Sequence, residues 1–130
     1  MTDVVVVNGA HVDSVDADGK TPLCYARSAE VARVLLKYKA FINYVDNFGR
    51  TPLALAVQDK RNDIVPCLLA GGADVEIQDN ISGSTALRLA CDTGNEHAAR
   101  LLLDHKASID HAEVQDAYLV VRYLADKRVI

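Results

Sequence analysis

The fold of this chain is decided by residues 46–56, DNFGRTPLALA, because the sequence contains this stretch three times. The upstream copy is DADGKTPLCYA at residues 16–26, and the downstream copy is DNISGSTALRLA at residues 79–90, one residue longer in its turn. A pair of leucines and then a small residue follow each copy: Leu35-Leu36 with Ala40, Leu68-Leu69 with Ala73, and Leu102-Leu103 with Ala107. A period in the low thirties predicts a repeat protein whose stacked units share one core.

The three copies resemble the ankyrin repeat, which consists of a turn, a Gly-x-Thr-Pro-Leu-x-x-Ala helix start and a second helix ending in Leu-Leu. The leading aspartates, Asp16, Asp46 and Asp79, lie 30 and 33 residues apart. The resemblance implies an all-α solenoid of helix-turn-helix units with projecting β-turn or hairpin loops. It also implies a non-enzymatic module that binds another protein through a concave face.

We expect a single ankyrin-like domain over residues 1–130. Its parts are a partial N-terminal repeat (1–15), repeat 1 (16–45), repeat 2 (46–78), repeat 3 (79–112) and a C-terminal capping helix (113–130). Repeat 1 lacks about three residues after Ala26 relative to repeat 2, which predicts either a tight turn or a first helix that is one turn shorter. The valines of the partial repeat, Val4, Val5, Val6 and Val7, predict either a weak self-association edge or a disordered tail.

Local signals mark the helix ends and turns. Thr21 is expected to cap the first helix of repeat 1 with its hydroxyl, while Pro22 takes the first helical position. Pro66 is tolerable because it lies near the first turn of its helix. Paired aspartates such as Asp16 and Asp18 sit in repeated turns, where their carboxylates can accept backbone N–H groups.

A single amphipathic helix is expected after the last repeat, because apolar residues there follow helical spacing. The predicted apolar stripe consists of Val114, Ala117, Tyr118, Val121, Leu124 and Ala125. Lys127 and Arg128 near its end suit the negative end of the helix dipole.

Composition argues against several classes of protein. The formal net charge of −4 provides no basic field for nucleic acid and mildly favours a protein partner with a basic patch. No apolar run approaches the roughly 20 residues that a membrane span needs. The three cysteines lie inside helix motifs, which favours reduced packing residues and a cytoplasmic or nuclear protein.

No catalytic, cofactor or metal site is predicted. The histidines, His11, His97, His105 and His111, and the cysteines, Cys24, Cys67 and Cys91, show no zinc-ligand spacing. A cysteine nucleophile would need a base beside it, and the repeats separate the cysteines in different helices. The glycines punctuate turns and do not form a phosphate loop.

The turns and first helices are therefore the candidate binding surface, as the resemblance implies. The partner-binding residues that we predict are Asp18, Lys20, Asn47, Phe48, Arg50, Asn80, Ile81, Ser84 and Arg88. Phe48 beside Arg50 is the most suggestive pair, since aromatic residues and arginine dominate binding hot spots. The alternative is that Phe48 folds over an adjacent turn. At the level of the whole protein, the chain could instead be a recognition or regulatory part of a larger enzyme or bacterial effector.

Asn43 carries a separate hypothesis. It lies in the segment AFIN, residues 40–43, and matches the hairpin asparagine that asparaginyl hydroxylases modify in some animal ankyrin repeats, with Leu35 eight residues before it. The corresponding positions in the other repeats are Asp13, Glu76 and Asp110, so one repeat alone would qualify.

Overall fold

The computed structural model describes residues 12–107 and 117–127, and this part of the chain is helical with no strand. The helices in chain order are the 3-10 helix η1 (Pro22–Tyr25), then α1 (Ala29–Lys37), α2 (Pro52–Gln58), α3 (Val65–Ala70), α4 (Ala86–Asp92), α5 (Glu96–Asp104) and α6 (Ala117–Asp126). The predicted all-α solenoid is confirmed. The projecting segments are turns closed by hydrogen bonds.

The helices form two rows. The inner helices η1, α2 and α4 pack side by side, and the outer helices α1, α3 and α5 form the second row behind them. Each inner helix also packs on the outer helix that follows it in the chain. Three turns, which we call the fingers, precede the inner helices at residues 16–20, 46–50 and 79–84.

The repeated sequence motif explains the core. Equivalent positions of the repeats carry buried leucines and alanines. Those in or directly after the inner helices are Leu23, Ala26, Leu53, Ala56, Leu87 and Ala90, and those in the outer helices are Leu35, Leu68 and Leu102. The alanines allow the helix rows to approach closely, while the leucines fill the space between neighbouring repeats. Each repeat thus buries its apolar surface mainly against its neighbours.

The inner helix of repeat 1 is a single 3-10 turn. Of the two predicted alternatives, a tight turn or a shortened first helix, the shortened first helix is confirmed. The expected cap by Thr21 is wrong: its hydroxyl lies 3.6 Å from Cys24 Sγ and accepts no backbone N–H. The Cys24 N–H instead donates to the Thr21 carbonyl at 3.0 Å, because 3-10 winding brings these groups together. In the full-length inner helices, Thr51 Oγ1 accepts the Ala54 N–H at 3.1 Å and Thr85 Oγ1 accepts the Arg88 N–H at 3.3 Å.

The outer helices end in left-handed backbone conformations. Gly72 follows α3 with a φ of 90°, whereas Lys39 and Lys106 occupy the same place after α1 and α5 with φ of 73° and 65°. Pro66 lies in the first turn of α3, as predicted, and that helix has six residues.

Lys60 provides a test of this backbone strain. It has a φ of 58° between α2 and α3, where repeat 3 has Gly94 with a φ of 68°. We expect Lys60→Gly to raise the free energy of unfolding by about 0.5 kcal/mol, because relief of the left-handed strain exceeds the added freedom of the unfolded chain. Urea titration followed by circular dichroism measures this change. A loss of stability in Lys60→Gly, or an equal gain in Lys60→Ala, would contradict the explanation.

Helix α6 docks on α5 in an orientation that leaves two members of its predicted apolar stripe exposed. Val121 is 50% exposed, and Ala125 is exposed as well. Among the side chains of α6 that the structure describes, Tyr123 packs against the core. The predicted residues Val114 and Arg128 lie outside the described residues, as do the side chains of Ala117, Tyr118 and Leu124.

Charged residues explain this orientation. Glu96, Arg100 and Asp104 lie four residues apart along α5 and face α6. Arg122 Nη1 is 3.2 Å from Glu96 Oε1, Lys127 Nζ is 3.5 Å from Asp104 Oδ1, and Arg100 pairs with Asp126. The Tyr123 hydroxyl donates to Asp104 Oδ1 at 2.7 Å, which lowers the pKa of Asp104 and raises the pKa of Tyr123. The spacing of apolar residues alone missed this polar docking face.

Candidate interaction face

Each finger is built around the aspartate that opens it. In the second finger, Asp46 Oδ1 accepts the N–H groups of Phe48 and Arg50, both at 2.9 Å. The Asp46 N–H donates to the Arg50 carbonyl at 2.9 Å and closes the turn. In the first finger, Asp16 Oδ1 accepts two N–H groups in the same way, at 2.9 Å and 3.0 Å. The predicted acceptor role is confirmed for Asp16; Asp18 contributes its backbone N–H to this turn.

The third finger is longer, and Asp79 organises more of it. Its Oδ1 atom accepts the N–H groups of Ile81, Ser82 and Ser84 at 3.1, 2.9 and 3.2 Å. Burial by itself raises the pKa of Asp79, but these backbone donors outweigh it and hold the pKa below its ordinary value. Ser84 is 3% exposed and its hydroxyl lies 2.7 Å from Ser82 Oγ. The prediction that Ser84 contacts a partner is therefore wrong: it is a buried residue of the turn.

Hydrogen bonds join the three fingers to one another. The Asn47 N–H donates to the Asp18 carbonyl at 2.9 Å, and Asn47 Nδ2 donates to the Ala17 carbonyl at 3.0 Å. The Asn80 N–H donates to the Phe48 carbonyl at 2.8 Å. Asn47 was predicted as a partner-binding residue, and its amide group is already bound to the neighbouring finger. These contacts give the fingers a fixed spacing.

The fingertips carry apolar side chains. Phe48 is 45% exposed and Ile81 is 66% exposed, while Asp18 occupies the equivalent position of the first finger. The Arg50 guanidinium lies 5.0 Å from the centroid of the Phe48 ring. Arg50 is itself held, since Nε lies 3.4 Å from Asp46 Oδ2 and Nη1 donates to Gln58 Oε1 at 3.3 Å. The ring thus lies beside a cation that Asp46 and Gln58 hold in place.

The first inner helix adds an exposed tyrosine. The Tyr25 hydroxyl donates to Asp16 Oδ2, which lowers the pKa of Asp16 and raises the pKa of Tyr25 to about 12. Lys20 Nζ lies 5.6 Å from the centroid of the Tyr25 ring. Arg88, on α4, lies 3.5 Å from Asp92 through its Nε atom. The fingers and the exposed sides of the inner helices together form what we call the inner face.

Two side chains that the sequence analysis did not single out bridge consecutive repeats. Asn95 Nδ2 donates to the Val57 carbonyl at 3.1 Å, and its Oδ1 accepts the Ala98 N–H at 3.2 Å to cap α5. Arg61 occupies the equivalent position one repeat earlier, and its Nη1 donates to the Ala26 carbonyl at 2.7 Å. Both donors reach the end of the preceding inner helix. A comparison of equivalent positions between the repeats could have indicated this shared role.

A cavity of about 240 Å³ opens on the inner face between repeats 1 and 2. Its lining residues are Lys20, Cys24, Tyr25, Arg27, Leu55, Asp59 and Arg61. Lys20 is the one member of this lining that the sequence analysis had placed on the binding surface.

The described ranges contain no group of three or more His, Cys, Asp or Glu side chains that could hold a metal ion. Cys24, Cys67 and Cys91 form no disulfide, and burial raises the pKa of the Cys24 thiol. In the same ranges, no helix combines the length and the apolar character that a membrane crossing requires.

Asn43 has a structural role. Its Oδ1 accepts the Asp74 N–H at 2.9 Å, and Asp13 makes the equivalent contact with the Phe41 N–H at 3.0 Å. Hydroxylation of Asn43 stays a hypothesis. The proposed self-association edge, Val4, Val5, Val6 and Val7, lies outside the described residues.

Comparison with known proteins identifies the family. A family model described as ankyrin repeats in three copies matches residues 2–79 and 59–128 of this chain. The chain therefore belongs to the ankyrin-repeat family, which confirms the resemblance found in the repeated motif. Ankyrin repeats generally mediate protein–protein interactions.

Three relatives illustrate this membership. The chain is 43% identical over 79 residues to BTB/POZ domain-containing protein 1 of Schizosaccharomyces pombe and 36% identical over 80 residues to NF-kappa-B inhibitor alpha of Gallus gallus. It is 38% identical over 98 residues to human inversin. These alignments cover 60%, 62% and 73% of this chain, but they cover 6%, 25% and 9% of the respective relatives.

Proposed function

We propose that this protein is a non-enzymatic interaction module that presents its inner face, already ordered, to another protein. The observation that carries the proposal is the hydrogen bonding between fingers, which fixes the backbone from which the exposed side chains of Phe48 and Ile81 project. Preordered side chains lose less conformational entropy on binding, so a small surface can give useful affinity. The partner-binding residues that we retain are Asp18, Lys20, Phe48, Arg50, Asn80, Ile81 and Arg88.

A cytoplasmic or nuclear location accompanies this proposal. Its support is that Cys24, Cys67 and Cys91 form no disulfide, since oxidising compartments favour disulfides. We propose neither nucleic acid nor a membrane as a partner, because the chain has a net charge of −4.

A second proposal concerns the whole protein. The chain could serve as the recognition or regulatory part of a longer polypeptide. This idea is supported by the relatives, in which the matching region is a minor part of each protein. The full-length reading frame in the native genome tests it directly, and a frame limited to these repeats would remove it.

A double substitution of the fingertips tests the interaction proposal. We expect the Phe48→Ala, Ile81→Ala variant to lose at least about tenfold in affinity for the native partner, since truncated anchor residues typically cost 1 kcal/mol or more each. The partner is first captured from native lysate on the immobilised wild-type chain. It is then purified and titrated by calorimetry.

Tyr38 supplies a matched control. It follows outer helix α1 and is 49% exposed, close to the exposure of Phe48, but it lies away from the fingers. We expect Tyr38→Ala to bind as the wild type does. Retained affinity in the double variant, with its helical content intact, would refute the inner face as the binding site. Equal losses in Tyr38→Ala would point to the outer row of helices.

A further inference from the structure

The cavity between repeats 1 and 2 results from the short inner helix of repeat 1. Helix η1 has four residues, whereas its neighbour α2 has seven. The C-terminal turn of α2 therefore has no counterpart beside it, and the space is walled by Tyr25 and Arg27 on one side and by Leu55 and Asp59 on the other. Repeat 2 and repeat 3 have inner helices of equal length, so they leave no comparable step.

The charge of the cavity is opposite to the charge of the chain. Three cationic side chains, Lys20, Arg27 and Arg61, line it, and Asp59 is the single acidic residue in the lining. Arg61 Nη2 lies 3.4 Å from Asp59 Oδ2, so this carboxylate is already paired. The cavity thus carries two more positive groups than negative ones on a chain whose net charge is −4. A local reversal of this kind attracts anionic groups.

Arg61 is held in place by two contacts. Its Nη1 donates to the Ala26 carbonyl at 2.7 Å, and its Nη2 lies 3.4 Å from Asp59 Oδ2. A guanidinium that is already fixed loses little conformational freedom when an anionic group binds beside it.

We propose that this cavity receives the carboxylate of a glutamate or aspartate side chain from an extended acidic segment of the partner protein. The proposal rests on the proposed function and deepens it. The carboxylate pairs with Arg27, Lys20 and Arg61, while its methylene groups lie against Leu55. The cavity is smaller than the pockets that enclose drug-sized ligands, which span about 300–1,000 Å³, and its size suits a single side chain.

Titration with a defined probe tests the proposal. The probe is a blocked peptide of glycine and leucine residues that contains three glutamates, and the control peptide has glutamine at those three positions. Binding is followed by amide chemical shifts of the isotope-labelled chain at low ionic strength. We expect the glutamate peptide to perturb Tyr25, Leu55 and Arg61 and the glutamine peptide to leave them unchanged. Added salt weakens the binding, because partly exposed charges are screened.

Two charge reversals locate the site. Arg27 is exposed at the cavity, and Arg33 is exposed on outer helix α1. We expect Arg27→Glu to weaken binding of the glutamate peptide at least about tenfold, because an attractive contact becomes a repulsive one. Arg33→Glu makes the same change in net charge and is expected to alter the affinity less than about twofold, since Arg33 does not line the cavity and its exposed charge is screened by solvent and salt.

Three results would overturn the proposal. The first is equal affinity for the glutamate and glutamine peptides. The second is undiminished affinity of the Arg27→Glu variant for the glutamate peptide. The third is competition by inorganic phosphate at the same concentration as the peptide, which would indicate a general anion site. A different result would refute the proposed function, namely an unchanged affinity of the Phe48→Ala, Ile81→Ala variant for the native partner. A partner that needs the fingertips but binds Arg27→Glu normally would leave the interaction module standing without its acidic anchor.

Discussion

Gly49→Ala is expected to lower the free energy of unfolding by about 3 kcal/mol, through left-handed strain of about 1–2 kcal/mol plus a comparable clash. Gly49 has a φ of 76°, a conformation that residues with a Cβ atom adopt at a cost. An added Cβ atom would lie 2.7 Å from Asn80 Oδ1 and 3.0 Å from the Asn80 backbone nitrogen. The second and third fingers would therefore have to separate, and the hydrogen bond between Asn80 N–H and the Phe48 carbonyl would be strained.

Gly94 isolates the contribution of the clash. Its φ of 68° is similar, but an added Cβ atom there meets nothing within 4 Å. We expect Gly94→Ala to cost about 1 kcal/mol, the strain contribution alone. Both variants are measured by denaturant titration, and hydrogen exchange of the Asn80 amide reports the finger contact directly. Equal losses in the two variants would show that finger proximity is not what constrains Gly49.

Asp46→Ala is expected to cost about 2–4 kcal/mol of unfolding free energy, because hydrogen bonds to a charged group and the pairing of a buried charge are both lost. The Asp46 side chain is fully buried, and Oδ1 accepts the Phe48 and Arg50 N–H groups. Its removal leaves those donors without their acceptor. Arg50, which is 17% exposed and 3.4 Å from Asp46 Oδ2, loses its counter-ion. The loss is smaller than for a fully buried pair because Arg50 also donates to Gln58.

Asp46→Asn separates the two contributions. Asparagine retains an oxygen for the two backbone donors and removes the charge, so we expect it to cost about 1–2 kcal/mol, less than the alanine variant. Thermal and denaturant unfolding at neutral pH measure both variants. An asparagine variant as unstable as the alanine variant would mean that the ion pair with Arg50, and not the turn geometry, holds the second finger.

The repeated motif predicted the fold because every copy encodes the same local structure. The aspartates of the fingers, the threonine caps of α2 and α4, and the leucines at the core each recur at equivalent positions. Ser84 shows the limit of this approach. Its position directly before the threonine is that of the partly exposed Lys20 and Arg50, but in the longer third finger the serine is buried and meets Ser82.

Contacts between repeats were harder to predict than the repeats themselves. The spacing of apolar residues predicted helix α6 but placed Val121 and Ala125 on its buried side, whereas both are exposed and ion pairs join this helix to α5. Tyr25 falls at a position where the motif predicts no contact, and the role of Arg61 emerges only when its position is compared with that of Asn95 in the next repeat. Asn47 was predicted to contact a partner, and its side chain instead reaches the preceding finger.

The equivalence of Arg61 and Asn95 bears on how such arrays tolerate deletions. Asn95 reaches the carbonyl at the end of a seven-residue inner helix with a short side chain, while Arg61 reaches the end of a four-residue helix with a long one. A deletion in one unit is thus compensated by a single longer donor in the next. The contact between repeats 1 and 2 is kept although η1 lacks a turn. The cavity left by the missing turn can then acquire a binding specificity of its own while the core residues stay unchanged.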